Sequence, residues 1–244
     1  MSSRQINKSV NVYSKNPDAS YKYRLICFPH AGGSASFFRH WEQSFIEAEV
    51  CSVKYPGRAE RISEPLPFDL VKMSEEIALD ITNLTDLPIV FFGHSMGAVV
   101  ALEVAKALEN RNIYVEYLFV SGSKKGNIPK YSDYTEESDE KISNDLIEMG
   151  GTNIEMINDP LFQDLVMPAI KADGKMFHSY RMDNTKLNCS IVSICGTEDI
   201  HSDIRPWNQL TTNTHTEYFV PGGHFYLIDS PPLQEIKSIC KKIK

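Results

Sequence analysis

The sequence predicts an α/β fold: a mostly parallel sheet with helices on both faces, interrupted late in the chain by a helical insertion. Three observations predict it. Short apolar runs alternate with helix-patterned segments, which is the order of a parallel sheet built from strand–helix repeats. The runs are almost wholly apolar instead of alternating, as expected for strands covered on both faces. A Gly-x-Ser-x-Gly pentapeptide sits at one run-to-helix junction, Gly93-His94-Ser95-Met96-Gly97. At 244 residues and 42% hydrophobic, the chain can bury a large core, and 1–244 reads as one domain.

The elements follow in order. Residues 1–20 are polar, carry no motif and are expected to be flexible. Tyr23 to Phe28 reads as a strand and runs into Pro29-His30-Ala31-Gly32-Gly33-Ser34-Ala35 before a helix. Pro88 to Phe92 is a second strand, and Ala98 to Leu108 is the helix that follows the pentapeptide. The alternation breaks after Ser121-Gly122-Ser123. From about 124 to 186 the chain is polar and helix-like, so this segment reads as a lid inserted between core strands; its acidic run, Glu136 to Lys141, reads as a solvated helix face. The core pattern then resumes. Asn188 to Cys195 leads into Gly196-Thr197-Glu198-Asp199, and Thr216 to Val220 leads into Pro221-Gly222-Gly223-His224-Phe225.

The pentapeptide has a physical reading. Glycines two before and two after Ser95 remove side chains where strand and helix cross closely, letting the serine hold a strained backbone that projects its hydroxyl. A serine hydroxyl is a weak nucleophile, so it needs a base and an orienting acid. Asp199 stands just past one strand and His224 in a Gly-Gly loop after the next, giving the chain order Ser95, Asp199, His224 of α/β-hydrolases. His201 is the rival base; Glu198, Asp203 and Asp229 are the rival acids, none in the strand-Gly-x-x-Asp setting. Acyl transfer also needs two backbone N–H groups for the oxyanion, expected from Met96 and Ala31. The other reading of the second loop is a plain helix start capped by Ser34 or Ser36.

One family unites these pieces. Phe28 to Gly33, Tyr55-Pro56-Gly57-Arg58-Ala59-Glu60-Arg61 with Glu64-Pro65, the Ser95 pentapeptide, Met149-Gly150-Gly151, Pro168 to Asp173, Gly196 to Asp199 and Gly222 to Phe225 occur in that order. Together they resemble the type II thioesterases of nonribosomal peptide and polyketide synthase systems, over residues 23 to 230 or so. The family often carries an aromatic residue after its Ala-Asp pair, where this chain has Gly174, a departure that touches lid packing.

The resemblance implies a discrete hydrolase that clears acyl or aminoacyl groups from the phosphopantetheine arm of carrier domains. It implies no cofactor of its own, because the acyl group arrives on the partner's arm. Arg58, Arg61, Lys124 and Lys125 follow strand ends on the expected active side and are the candidate carrier contacts, against the plain reading of solvated surface charges. A general carboxylesterase or acyl-CoA hydrolase on the same scaffold is the rival enzyme, and a noncatalytic binding protein the rival class.

Composition narrows the field further. Lys and Arg total 25 against 32 Asp and Glu, a formal charge of −7, which argues against nucleic acid as partner. No apolar stretch is long enough to cross a bilayer, and the N-terminus lacks an apolar signal core, so a cytoplasmic protein is expected. Five cysteines with no C-x-x-C read as reduced core residues, not as a disulfide or metal framework. A monomer is the simplest expectation.

Overall fold

The computed structural model describes residues 7–13, 20–126 and 138–243. The strands are β1 (Val10–Val12), β2 (Tyr23–Phe28), β3 (Ala48–Val53), β4 (Ile89–His94), β5 (Val115–Ser121), β6 (Ser123–Lys125), β7 (Ser190–Gly196), β8 (Asp203–Arg205) and β9 (His215–Val220). The helices are α1 (Leu70–Ile81), α2 (Met96–Glu109), α3 (Asp139–Met149), α4 (Ile154–Ile157), α5 (Met167–Ser179) and α6 (Leu233–Cys240). Seven strands form one sheet in the order β1-β3-β2-β4-β5-β7-β9. Every pairing in it is parallel except β1 with β3.

The continuous apolar runs do what two-sided burial requires. Along β2, Ile26 and Phe28 face one core layer with Phe91 of β4, while Leu25 and Cys27 face the other with Val90 and Phe92. The first layer is closed by α1 and α2, and α2 is buried from Met96 to Leu108. The second layer is closed by Phe38, Trp41 and Phe45 together with Ile236 and Cys240 of α6. All five cysteines are buried and free.

Two departures from expectation stand out. Within the first twenty residues, 7–13 are ordered: β1 pairs with β3 in the register Val10 to Val53, and the Asn7 amide donates to the Asp80 carbonyl. The pairing comes from backbone partners forty residues away, so local polarity did not signal it; residues 1–6 and 14–19 lie outside the described residues. Second, the expected strand-free segment 124–186 begins inside a strand, since β6 pairs with β8 in a separate two-stranded sheet. The rest of the described insertion is helical, carrying α3, α4 and α5. Of the acidic run, Glu136 and Glu137 lie outside the described residues, whereas Asp139 and Glu140 stand exposed in the first turn of α3, where the helix dipole favours anions.

Candidate active site

Three residues of the predicted set stand beyond the carboxyl ends of parallel strands of the one sheet, where ligands of open α/β sheets bind. Ser95 follows the last residue of β4, Asp199 follows β7, and His224 follows β9. Ser95 has φ 55° and ψ −123°, a backbone that side chains rarely adopt. The close crossing explains the flanking glycines: a Cβ on Gly93 would collide with the Gly97 carbonyl, and one on Gly97 with the Phe28 carbonyl. The Ser95 N–H donates to the Ser121 carbonyl at 2.8 Å, fixing the turn to β5.

His224 Nδ1–H donates to Asp199 Oδ2 at 3.0 Å, with both side chains buried. Burial pushes the Asp199 carboxyl up, but its hydrogen bond to His224 and that residue's charge outweigh burial, helped by Ser202 and the His201 backbone N–H. The carboxyl is held below the usual carboxylate range. Asp199 Oδ1 accepts the His201 N–H at 3.0 Å, and the Asp199 carbonyl accepts from Ser202 Oγ and from Lys124 Nζ at 2.7 Å. The rivals are placed elsewhere. The His201 imidazole lies 3.6 Å from Glu148, Asp203 pairs with Arg205, and Glu198 and Asp229 are exposed.

Ser95 and His224 line one cavity of about 170 Å³, together with Ala31, Phe225 and side chains from α3 and α5. The insertion therefore forms the far wall of the site. In the loop after β2, Gly33 N–H donates to the His30 carbonyl, and Gly32 N–H donates to Asp173 Oδ2 of α5 at 2.8 Å. Ser34 is the N-cap of the following turn without making a cap bond; its hydroxyl meets that of Ser36 at 2.7 Å. The capping reading of this loop thus fails for Ser34.

The carrier-contact assignments need correction at two positions. Arg58 is buried in a bidentate pair with Asp173, and Arg61 is buried against Glu64, Ser9 and the Lys54 carbonyl. Neither guanidinium faces a surface that a partner could touch. Lys124 is half-buried and committed to the Asp199 carbonyl; the Lys125 side chain lies outside what is described.

Sequence reasoning missed a histidine cluster behind the site. His94 is wholly buried, with Nδ1 2.9 Å from Ser121 Oγ, which lies 2.7 Å from the Tyr226 hydroxyl. Its ring centroid is 5.0 Å from that of His224 and 6.1 Å from that of His30. His30 is held edge-on between Phe37 and Phe225, each at 4.8 Å. Burial, then the neighbouring His224, push both imidazoles down, His30 to about 3, so both are neutral at physiological pH. The signal available was only that His30 and His94 stand at strand ends, each within two residues of a glycine.

A mostly parallel sheet with an acid–histidine pair and a strained serine turn gathered at its carboxyl edge defines an α/β-hydrolase. Within that class the chain belongs to the thioesterase family, whose thioesterase-domain model matches residues 23–243. It is 33% identical to the gramicidin S biosynthesis protein GrsT of Aneurinibacillus migulanus, over 98% of this chain and 95% of that one. It is 35% identical to the human medium-chain S-acyl fatty acid synthase thioesterase, over 95% and 90%. Among solved structures, the type II thioesterase BorB from the borrelidin biosynthetic cluster superposes with a TM-score of 0.79 at 30% identity, covering 94% of this chain and 96% of that one. The chain is thus a hydrolase of thioesters. Among the described residues no cluster of three or more His, Cys, Asp or Glu could hold a metal, and no helix is long and apolar enough to cross a membrane.

Proposed function

We propose that this thioesterase releases acyl or aminoacyl groups from the phosphopantetheine arm of carrier domains in a nonribosomal peptide or polyketide synthase, acting as a monomer in the cytoplasm. One observation carries the chemistry: Ser95, on its strained turn, shares a cavity with a histidine already oriented by a buried carboxylate. With Nδ1–H held by Asp199, the basic nitrogen of His224 is Nε2. It takes the Ser95 proton as Oγ attacks the thioester carbonyl. The tetrahedral oxyanion is met by two backbone N–H groups. Met96 opens α2, where first-turn amides have no partner within the helix. Ala31 lines the cavity, and the two N–H groups that follow it, of Gly32 and Gly33, are spent on Asp173 and on the His30 carbonyl. Collapse breaks the C–S bond, and His224 returns the proton to the departing thiolate. Water, deprotonated by His224, then attacks the acyl-Ser95 ester, and His224 returns that proton to Ser95 Oγ as the C–O bond breaks and the acid leaves. The reaction needs no metal or cofactor held by this chain.

The synthase setting is supported by the names of the relatives, GrsT and BorB among them. A second setting is supported by the human relative, a thioesterase of fatty acid synthase for medium-chain acyl groups. Hydrolysis of one acyl group presented on a carrier protein, on coenzyme A and as a simple ester separates these readings from a general esterase. The proposal expects the carrier-bound thioester to give the highest kcat/KM. Equal rates on all three would replace it with the general esterase.

A further inference from the structure

The two insertion helices that wall the cavity present regular stripes to it. α3 contributes Ile142, Leu146 and Met149, spaced i, i+4 and i+7; α5 contributes Ile170, Gly174 and His178, spaced i, i+4 and i+8. Each stripe is one helix face. On α5 the middle position of that face carries no side chain.

Nothing in the local structure asks for glycine there. Gly174 is helical and not among the residues with positive φ, and a Cβ added to it would meet no atom within 4 Å. A glycine in mid-helix weakens the helix relative to alanine. The contrast is with Gly93 and Gly97, where a Cβ collides with backbone. The register of α5 is also fixed, because Asp173 is held by Arg58 and by the Gly32 N–H. Ile170 packs against Gly32 in the loop beside Ser95, since a Cβ there would run into its side chain. Position 174 lies one turn farther along the helix, a rise of about 6 Å.

We propose that Gly174 is the specificity-determining residue of the acyl chamber. Its open space lets the cavity take apolar acyl groups of medium length or with a ring, beyond the reach of the Ile170 level. The apolar character follows from Ile142, Leu146, Met149 and Ile170, while Asp145 and Lys171 of the same two helices also reach the lining. A side chain at 174 would confine the enzyme to short acyl groups. The proposal rests on the thioesterase reading of the same site.

The test uses acetyl, hexanoyl and phenylacetyl thioesters of N-acetylcysteamine with the wild type and Gly174→Ala, Gly174→Leu and Gly174→Phe. Wild type should prefer hexanoyl and phenylacetyl over acetyl. The hexanoyl-to-acetyl ratio of kcat/KM should fall by roughly tenfold or more in the Leu and Phe variants, with acetyl hydrolysis kept within about threefold. Gly174→Ala should raise Tm by about 2–4 °C and still lower the phenylacetyl-to-acetyl ratio about twofold, so the test stands if the larger variants fail to fold. An unchanged ratio across the series, equal losses on all substrates, or a wild type that prefers acetyl would overturn the proposal. A wild type inactive on every thioester would instead remove the reading of the site on which it rests.

Discussion

Arg58 and Asp173 stand 115 residues apart in the chain and meet as a buried bidentate ion pair, Nη1 to Oδ2 at 2.5 Å and Nη2 to Oδ1 at 2.8 Å. The same Asp173 Oδ2 accepts the Gly32 N–H, so one carboxylate joins the turn after β3, the loop beside Ser95 and the helix α5. Removing the charge from Asp173 leaves a guanidinium buried without its counter-ion. Asp173→Asn should therefore cost about 3–5 kcal/mol in denaturant unfolding. Arg58→Met combined with Asp173→Leu should recover at least about half of that loss, because no buried charge remains. A cost below about 1 kcal/mol for the single variant would mean that the pair is solvated and does not anchor α5.

Ser95→Ala should abolish thioester turnover while leaving Tm close to the wild-type value, since the hydroxyl lies at the cavity and not in the core. His224→Ala should do the same to turnover. Asp199→Asn should lower kcat by up to about 10⁴-fold, because an amide can hold the wrong imidazole tautomer. Asp203→Asn should leave kcat near wild type, as Asp203 is paired with Arg205 outside this arrangement. If Asp203→Asn proves the more damaging of the two carboxylate variants, the acid has been misassigned.

Lys124 Nζ braces the loop that presents Asp199, through its carbonyl at 2.7 Å. Loss of that brace should disturb the acid–histidine geometry whatever the substrate. Lys124→Met should lower kcat by about tenfold on a small free thioester and on a carrier-bound one alike. A defect seen only with the carrier-bound substrate would instead return Lys124 to the partner surface where its charge first suggested it.

The strands that build the site were legible because their signal is local. Tyr23–Phe28, Ile89–His94 and Ser190–Gly196 are short apolar runs ending in glycine or loop residues, and buried parallel strands have no other sequence signature. Ser95, Asp199 and His224 were legible through chain order and setting relative to those strands. What escaped depends on partners far away in sequence. Arg58 and Arg61 look like surface charges until Asp173 and Ser9 are brought against them, and β1 looks like a polar tail until β3 supplies its ladder. His94 escaped for another reason: the second pentapeptide position carries no pattern of its own, and only the fold shows that it lies beneath His224.

That buried imidazole should give the protein a distinctive acid sensitivity. His94 is faced by His30 and His224 and is bonded to Ser121 from β5, with the Tyr226 hydroxyl beyond; the nearest carboxylate of the arrangement, Asp199, is taken by His224. Its folded pKa is pushed well below 6.5, first by burial and then by the neighbouring histidines. The unfolded chain therefore binds a proton that the native state excludes. Stability from this group is complete above pH 6.5 and declines as pH falls below it, by about 1.4 kcal/mol per pH unit. His30 adds to the loss in the same direction, down to its folded value of about 3. Asp199 acts in a lower window, because its depressed pKa keeps its contribution intact above 3.8 and loses it only below. Between pH 6.5 and about 4.5 the histidines should then dominate. Urea unfolding at pH 7.5, 6.0 and 5.0 should show a slope approaching two protons, and His94→Asn, whose amide can replace Nδ1 beside Ser121, should reduce it by one. A stability that stays level down to pH 5, or a slope untouched by His94→Asn, would show that the imidazole is protonated in the folded state after all.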